Sequence, residues 1–178
     1  MSLELHVGPM FSGKSSRCIM QATAFNSVRI PIIIATPQLD TLKTHHGVLA
    51  VHGVHVAQLA DVLTMDAYAG SKVILVEDGH FFNDIVPTVR QMLRDNKSVF
   101  VYALDADAMQ RPFPSRVMDL TVDAIEVRKH NALCTYCGEA APYTVSTERL
   151  PDSQVLLGGH EVYSAVCLRH LKQSHIMR

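Results

Sequence analysis

The stretch "GPMFSGKSS", Gly8 to Ser16, carries the residue types that hold a phosphate. Between Gly8 and Ser15 it fits G-x-x-x-x-G-K-[ST], a spacing in which glycines let successive backbone N–H groups curl around phosphate oxygens. In such a loop Lys14 neutralises the terminal phosphates and the Ser15 hydroxyl ligates Mg2+. A second stretch, "VILVEDGHFF", places Glu77 and Asp78 at the end of an apolar run, where a carboxylate can hold that metal through water. His80 stands apart from the other histidines because it follows this acidic pair.

"CTYCG" and "CLRH" set Cys134 with Cys137 and Cys167 with His170, each pair separated by two residues, with 29 residues between the pairs. Each knuckle presents two ligands on one tight turn, and two knuckles make a closed tetrahedral Zn2+ site of Cys3His type. Such a site replaces the hydrophobic core that roughly fifty loop-rich residues cannot build alone. A redox role for "CTYC" is weaker, because the pair does not follow a strand and open a helix. Cys18, on a helix candidate, reads as plain core. "KTHHGVLAVHGVHV" concentrates four histidines, but their spacing suits a loop and strand better than a ligand cage.

Positioning these residues needs a scaffold. "LELHV" reads as a strand running into the glycine loop, and "KSSRCIMQATAFN" as the helix after it. "RIPIIIATP", "KVILVEDG" and "KSVFVYALD" are β-branched runs of the kind a sheet buried on both faces requires. Between them "VAQLADVLTMDAY" and "NDIVPTVRQMLRDN" read as amphipathic crossover helices, the second with Pro87 in its first turn and Asn83 or Asp84 as its cap. The alternation predicts an α/β fold, a P-loop-type parallel sheet with flanking helices. After about Asp119 the character changes to cysteine pairs, loops and one final helix candidate. The expected division is a nucleotide-binding α/β domain over 1–123 and a small zinc-binding subdomain over 124–178.

With 178 residues, 48% apolar and 19% charged, the chain suits one main core with a small appendage. Lys and Arg number 16 against 17 Asp and Glu, a net charge of −1, so no field exists to hold a nucleic acid by counterion release. No stretch approaches the ~20 apolar residues that span a bilayer. A soluble intracellular protein, with thiols that are free or bind metal, is the expectation.

The order of motifs resembles one family, the cytosolic-type (type II) thymidine kinases, over nearly the whole chain. "GPMFSGKSS" is similar to the family's "GPMFSGKST", and Met10 and Phe11 make the match more specific than the bare phosphate pattern. "PQLDT", "VEDGHFF", "ALDADAMQRPF" and "LLGGHEVYSAVCLRH" resemble the family's later segments. The resemblance implies transfer of the γ-phosphoryl of ATP to the 5′-hydroxyl of thymidine or deoxyuridine, in nucleotide salvage, by a cytoplasmic homotetramer. It places the nucleotide phosphates and Mg2+ on Gly8, Pro9, Met10, Phe11, Ser12, Gly13, Lys14, Ser15 and Glu77. It makes Asp78 the general base. Phe81 packs on the thymine ring, Met10 and Leu104 line the pocket near its methyl group, and Thr144, Gly158, Gly159 and Tyr163 belong to a zinc-held lasso that reads the base edge.

The chain departs from the family at four places. The acidic pair is Glu-Asp rather than Asp-Glu, which shortens the base by one CH2, about 1.5 Å, and leaves room for a bridging water. Leu42, with Lys43 beside it, replaces an arginine, and lysine cannot reproduce a bidentate guanidinium contact. Ala108 stands where an aromatic residue walls the base pocket, and the arginine after the third zinc cysteine is displaced to Arg169. These changes define the alternative, a weakened nucleotide-binding homologue acting as a structural or regulatory subunit.

Overall fold

Apolar runs such as "VILV" are stable only between two layers, and the chain uses them that way. The computed structural model describes residues 1–38, 53–147 and 158–176. Leu42, Lys43 and three of the four clustered histidines lie outside the described residues. The strands are β1 (Ser2–Val7), β2 (Ile32–Pro37), β3 (Gly53–Val56), β4 (Val73–Val76), β5 (Ser98–Ala103), β6 (Glu126–Lys129), β7 (Ala132–Leu133), β8 (Ala140–Ala141), β9 (Tyr143–Ser146) and β10 (Tyr163–Val166). The helices are α1 (Lys14–Ser27), α2 (Asp66–Gly70), α3 (Ile85–Arg94) and α4 (Leu168–Ile176).

Strands β1 to β6 form one parallel sheet in the order β3-β2-β4-β5-β1-β6. The expected α/β class is the observed one. Side chains alternate between its two faces: Ile74 and Val76 of β4 pack with Ile85, Val89 and Met92 of α3, whereas Val73 and Leu75 pack with Cys18 and Ala22 of α1. Cys18 is plain core, as its helix position implies. Each fully buried Leu, Ile or Val on these faces contributes ~1.5–3 kcal/mol, which is what fixes the strand ends that carry the site.

The helix expected over "VAQLADVLTMDAY" is broken in two. A 3-10 turn, Leu59–Thr64, is followed by the five-residue α2, because Met65 is extended at φ −74 and ψ 140. The Asp61 carboxylate accepts from the Gln58 N–H at 3.1 Å, and the Thr64 hydroxyl donates to the Asp61 carbonyl at 2.9 Å, closing the first turn on itself. Asp84 sits at the start of α3 as expected, but its side chain does not cap that helix. It accepts instead from the Leu59 and Ala60 N–H groups at 3.1 and 2.8 Å, capping the 3-10 turn across the fold. Pro87 lies in the first turn of α3, where its missing N–H leaves no intrahelical bond unmade.

β6 lies beyond residue 123, the sequence-based boundary, yet it completes the sheet as a partner of β1. All four of its residues are exposed, and Arg128 forks onto Glu126 at 2.7 and 2.8 Å. Charge of this kind blunts an open sheet edge. After β6 the chain builds two small antiparallel pairs, β7-β8 and β9-β10, with α4 packed near them. Their shared core is Ala132, Ala141, Val145, Val166 and Leu171 around Cys134 and Cys167.

Candidate active site at the carboxyl ends of the sheet

Loops from β1, β4 and β5 converge where the strands end, which is where open parallel sheets bind ligands. Gly8 opens the first loop at φ 151, and a Cβ on it would lie 2.3 Å from the His130 carbonyl oxygen. Only glycine tolerates that backbone. Gly13, at φ 78, turns the chain into α1, whose first N–H groups have no intrahelical partner and face the loop's anion-binding end. Phe11 is also left-handed at φ 64, a conformation that costs a non-glycine residue on the order of 1 kcal/mol and is held by its neighbours. Lys14 is buried and donates to the Gly8 and Pro9 carbonyls at 3.1 and 2.7 Å and to Ser12 Oγ at 3.2 Å. Burial lowers its pKa to about 8 against the opposing pull of Asp78 and Glu77.

Glu77 follows β4 and is held by its N–H donating to Ala35 O at 2.9 Å. The Ser15 hydroxyl donates to Glu77 Oε1, while Oε2 is buried without a hydrogen-bond partner. Burial and the adjacent Asp78 charge raise Glu77 to about 8, with Ser15 and Lys14 pulling the other way. Asp78 is half-buried in a left-handed conformation at φ 50. Burial raises its pKa too, opposed by Lys14.

His80 is buried, and its Nδ1 accepts from the Leu104 N–H at 3.2 Å. Burial lowers its pKa to about 3. The ring is therefore neutral with its proton on Nε2, a donor there rather than a base. Phe81 and Phe113 flank it at 4.2 and 4.7 Å between ring centres. Phe81 and the backbone of Leu104, two positions that the resemblance places at the nucleoside, thus meet around His80.

A second group closes over the glycine loop. The Met10 N–H donates to Thr144 Oγ1 at 2.9 Å, and Met10 and Phe11 pack on Ala108, Val162 and Tyr163. Ala108, small where the resemblance expects an aromatic wall, is buried in that contact. Gln110 Nε2 donates to the Thr144 carbonyl at 2.9 Å, and Asp107 is locked by Arg111 through Nε at 2.9 Å and N–H at 2.8 Å. Gly159 O accepts from the Val162 and Tyr163 N–H groups at 3.1 and 2.9 Å, and a Cβ on Gly158 would meet Val162 at 2.5 Å. Sequence reasoning missed Gln110, His130 and His160. His160 stacks on Phe11 at 3.8 Å and 11°, and nothing in its local pattern announces this.

The four sequence-derived metal ligands come together. One ligand atom from each of Cys134, Cys137, Cys167 and His170 lies within 4.8 Å of the others. The Cys137 and Cys167 sulfurs are 3.8 Å apart, and His170 Nδ1 is 3.4 and 3.3 Å from the Cys134 and Cys167 sulfurs. Two thiolates ~2.3 Å from a tetrahedral Zn2+ sit ~3.8 Å apart, so the set fits that ion. Burial pushes the Cys134 thiol up, but backbone N–H groups of Cys167, Tyr136 and Cys137 outweigh it and hold it at about 6. No helix among the described residues is long and apolar enough to cross a membrane.

The family model described as thymidine kinase matches residues 1–171. The chain belongs to the thymidine kinase family. A thymidine kinase from Pseudothermotoga lettingae is 32% identical, covering 93% of this chain and 91% of the relative. A relative named "Thymidine kinase, cytosolic" from Gallus gallus is 31% identical over 93% of this chain and 74% of its own length. Among solved structures, the flagellar accessory protein FlaH from Methanocaldococcus jannaschii aligns with a TM-score of 0.53 at 17% identity, covering 78% of this chain and 74% of that one. That likeness concerns the fold alone. As a member of the thymidine kinase family the chain is a transferase that phosphorylates thymidine in nucleotide salvage. The alternative, a weakened nucleotide-binding homologue acting as a structural or regulatory subunit, is not favoured by relatives named as thymidine kinases.

Proposed function

We propose that the site transfers the γ-phosphoryl of ATP to the 5′-hydroxyl of thymidine, with deoxyuridine as the second substrate. The observation that carries the proposal is the buried meeting of Ser15 with Glu77 beside Lys14, with Glu77 Oε2 left unpartnered. A hydroxyl and an orphaned carboxylate oxygen at the mouth of a glycine loop fit Mg2+. Bound there, the ion supplies charge neutralisation to the β- and γ-phosphates.

Residues 8–15 cradle the phosphates, and Lys14 exchanges its loop carbonyls for phosphate oxygens. Asp78 accepts the proton of the 5′-hydroxyl as the new O–P bond forms and the bond to the departing ADP breaks. Burial raises its pKa, which makes its carboxylate the stronger acceptor, and the nearby Lys14 charge pulls the other way, toward the ionised form. Phe81 packs on the base, and Met10 and Leu104 line the methyl side. Thr144, Gly158, Gly159 and Tyr163 read the base edge. Cys134, Cys137, Cys167 and His170 hold one structural Zn2+ that ties the turn between β7 and β8 to the start of α4. Residues 1–123 form the nucleotide domain and 124–178 the lasso, with β6 the strand that joins them. The protein works in the cytoplasm as a homotetramer, without nucleic acid or membrane as partner.

The test is a phosphoryl-transfer assay with ATP, Mg2+ and a panel of deoxynucleosides. Thymidine 5′-monophosphate and ADP should form in equal amounts, and Lys14→Ala should lose ATP affinity and turnover together. A folded Lys14→Ala protein that binds ATP as wild type does would remove the glycine loop as the phosphate site.

A further inference from the structure

The tip of the glycine loop does not stand free. Phe11 packs into the apolar core around Cys134 and Cys167 and also against the cluster of Ala108, Val162 and Tyr163. Its ring lies face to face with His160, centre to centre 3.8 Å at 11°. One residue before, the Met10 N–H is fixed by Thr144 Oγ1 at 2.9 Å. Phe11 is held at φ 64, a conformation that persists only where surroundings impose it. The surroundings that impose it include the turn 158–162 and β9.

We infer that His160 is a positioning residue: through its stack on Phe11 it makes the shape of the phosphate loop depend on the turn that borders the nucleoside site. The inference rests on the proposed placement of ATP and thymidine. A nucleoside that orders the turn at Gly158–Val162 fixes His160, which fixes Phe11 and with it the loop that receives the triphosphate. Each substrate then favours the other, and the coupling is reciprocal because it is a single free energy shared by two binding equilibria. His160 touches neither the reacting atoms nor the phosphates in this scheme. Its effect should therefore appear in the dependence of one affinity on the other, not in the chemical step.

The experiment is calorimetric titration of a non-hydrolysable ATP analogue with Mg2+, with and without saturating thymidine, on wild type, His160→Ala and His160→Phe. Wild type should bind the analogue about two- to tenfold tighter with thymidine present, the scale of one aromatic pair. His160→Ala should bring that ratio close to one while affinity for thymidine alone stays within about twofold. His160→Phe keeps a flat ring over Phe11 and should restore the ratio. His160 is exposed, so the variants should fold, and their melting temperatures check it. A wild-type ratio of one, or a ratio that survives in His160→Ala, overturns the inference. Lys14→Ala separates the two levels: loss of analogue binding there with an unchanged ratio in His160→Ala sinks the coupling and leaves the phosphate site standing. Unchanged analogue binding in Lys14→Ala sinks both.

Discussion

Ser15 and Glu77, 62 positions apart, meet side chain to side chain, the Ser15 hydroxyl donating to Glu77 Oε1. The contact leaves Oε2 of the same buried carboxylate without a donor, and a buried polar atom so placed costs on the order of 1–3 kcal/mol. Glu77→Gln removes the charge and supplies an amide. It should melt no lower than wild type, while the gain in ATP affinity that Mg2+ confers should shrink by about tenfold or more, the loss of one charge-assisted contact. Calorimetry with and without Mg2+ reads this. A Gln variant that keeps the full Mg2+ effect has its metal partner elsewhere.

Asp78→Asn preserves shape but cannot accept a proton. Turnover should fall by the ~10²–10⁴ of a lost general base, with thymidine affinity near that of wild type. Asp78→Glu adds one CH2 and should keep or raise the rate. Undiminished turnover in Asp78→Asn would remove the carboxylate from the chemistry, and neutral His80, whose Nδ1 is occupied by Leu104, could not replace it as it stands.

Elemental analysis should find one Zn2+ per chain. Structural zinc contributes ~10–16 kcal/mol to zinc-finger peptides, as much as the whole stability of a typical domain. Chelation should therefore lower the melting temperature and abolish thymidine binding. Metal-free protein with an unchanged melting curve would show that the cluster of Cys134, Cys137, Cys167 and His170 is inert.

Gly8→Ala puts a methyl 2.3 Å from a backbone oxygen, that of His130, on a residue at φ 151. Neither group can step aside cheaply, since His130 is tied to Val7 by a 2.7 Å N–H···O bond. The variant should be destabilised by about 2 kcal/mol or more and lose ATP binding even at temperatures where it is folded. Chemical denaturation followed by titration checks both parts.

His6 gives the acid side of the stability curve. It is buried against Tyr102 and His130, and burial first, then the charges of His130, Arg128 and Arg17, lower its pKa to about 4. Between pH 6.5 and 4 the unfolded chain binds a proton there that the native state refuses, so stability falls as pH falls through that window. Set against His6→Gln, wild type should lose about 2–3 kcal/mol more between pH 7 and pH 4, at ~1.36 kcal/mol per tenfold change in proton affinity. Denaturant titrations that run parallel in the two proteins would refute this.

The sequence made legible whatever is encoded by short spacing. The glycine loop, both knuckles and the apolar strands are local patterns, and the ligand set Cys134, Cys137, Cys167 and His170 comes together as its spacing implies. What stayed hidden joins residues far apart. Asp84 reads as a cap for its own helix, and only the fold brings Leu59 and Ala60 to it. The His130 carbonyl over Gly8 and the His160 ring on Phe11 have no periodicity behind them. Met65 shows the reverse failure: a helical apolar pattern yields to a tight turn closed by Asp61 and Thr64.

β1 finds its partners late. Ser2 pairs with Ser98 and Glu4 with Glu126, so the strand that carries the phosphate loop leaves the ribosome well before either neighbour exists. Closing loops of that length comes before the contacts that reward it, which slows folding and leaves Leu3 and Leu5 exposed to wrong partners meanwhile. ATP cannot rescue such an intermediate, because a ligand stabilises only the state that binds it. A nascent chain halted short of residue 126 carries every letter of the phosphate motif without the backbone that shapes it.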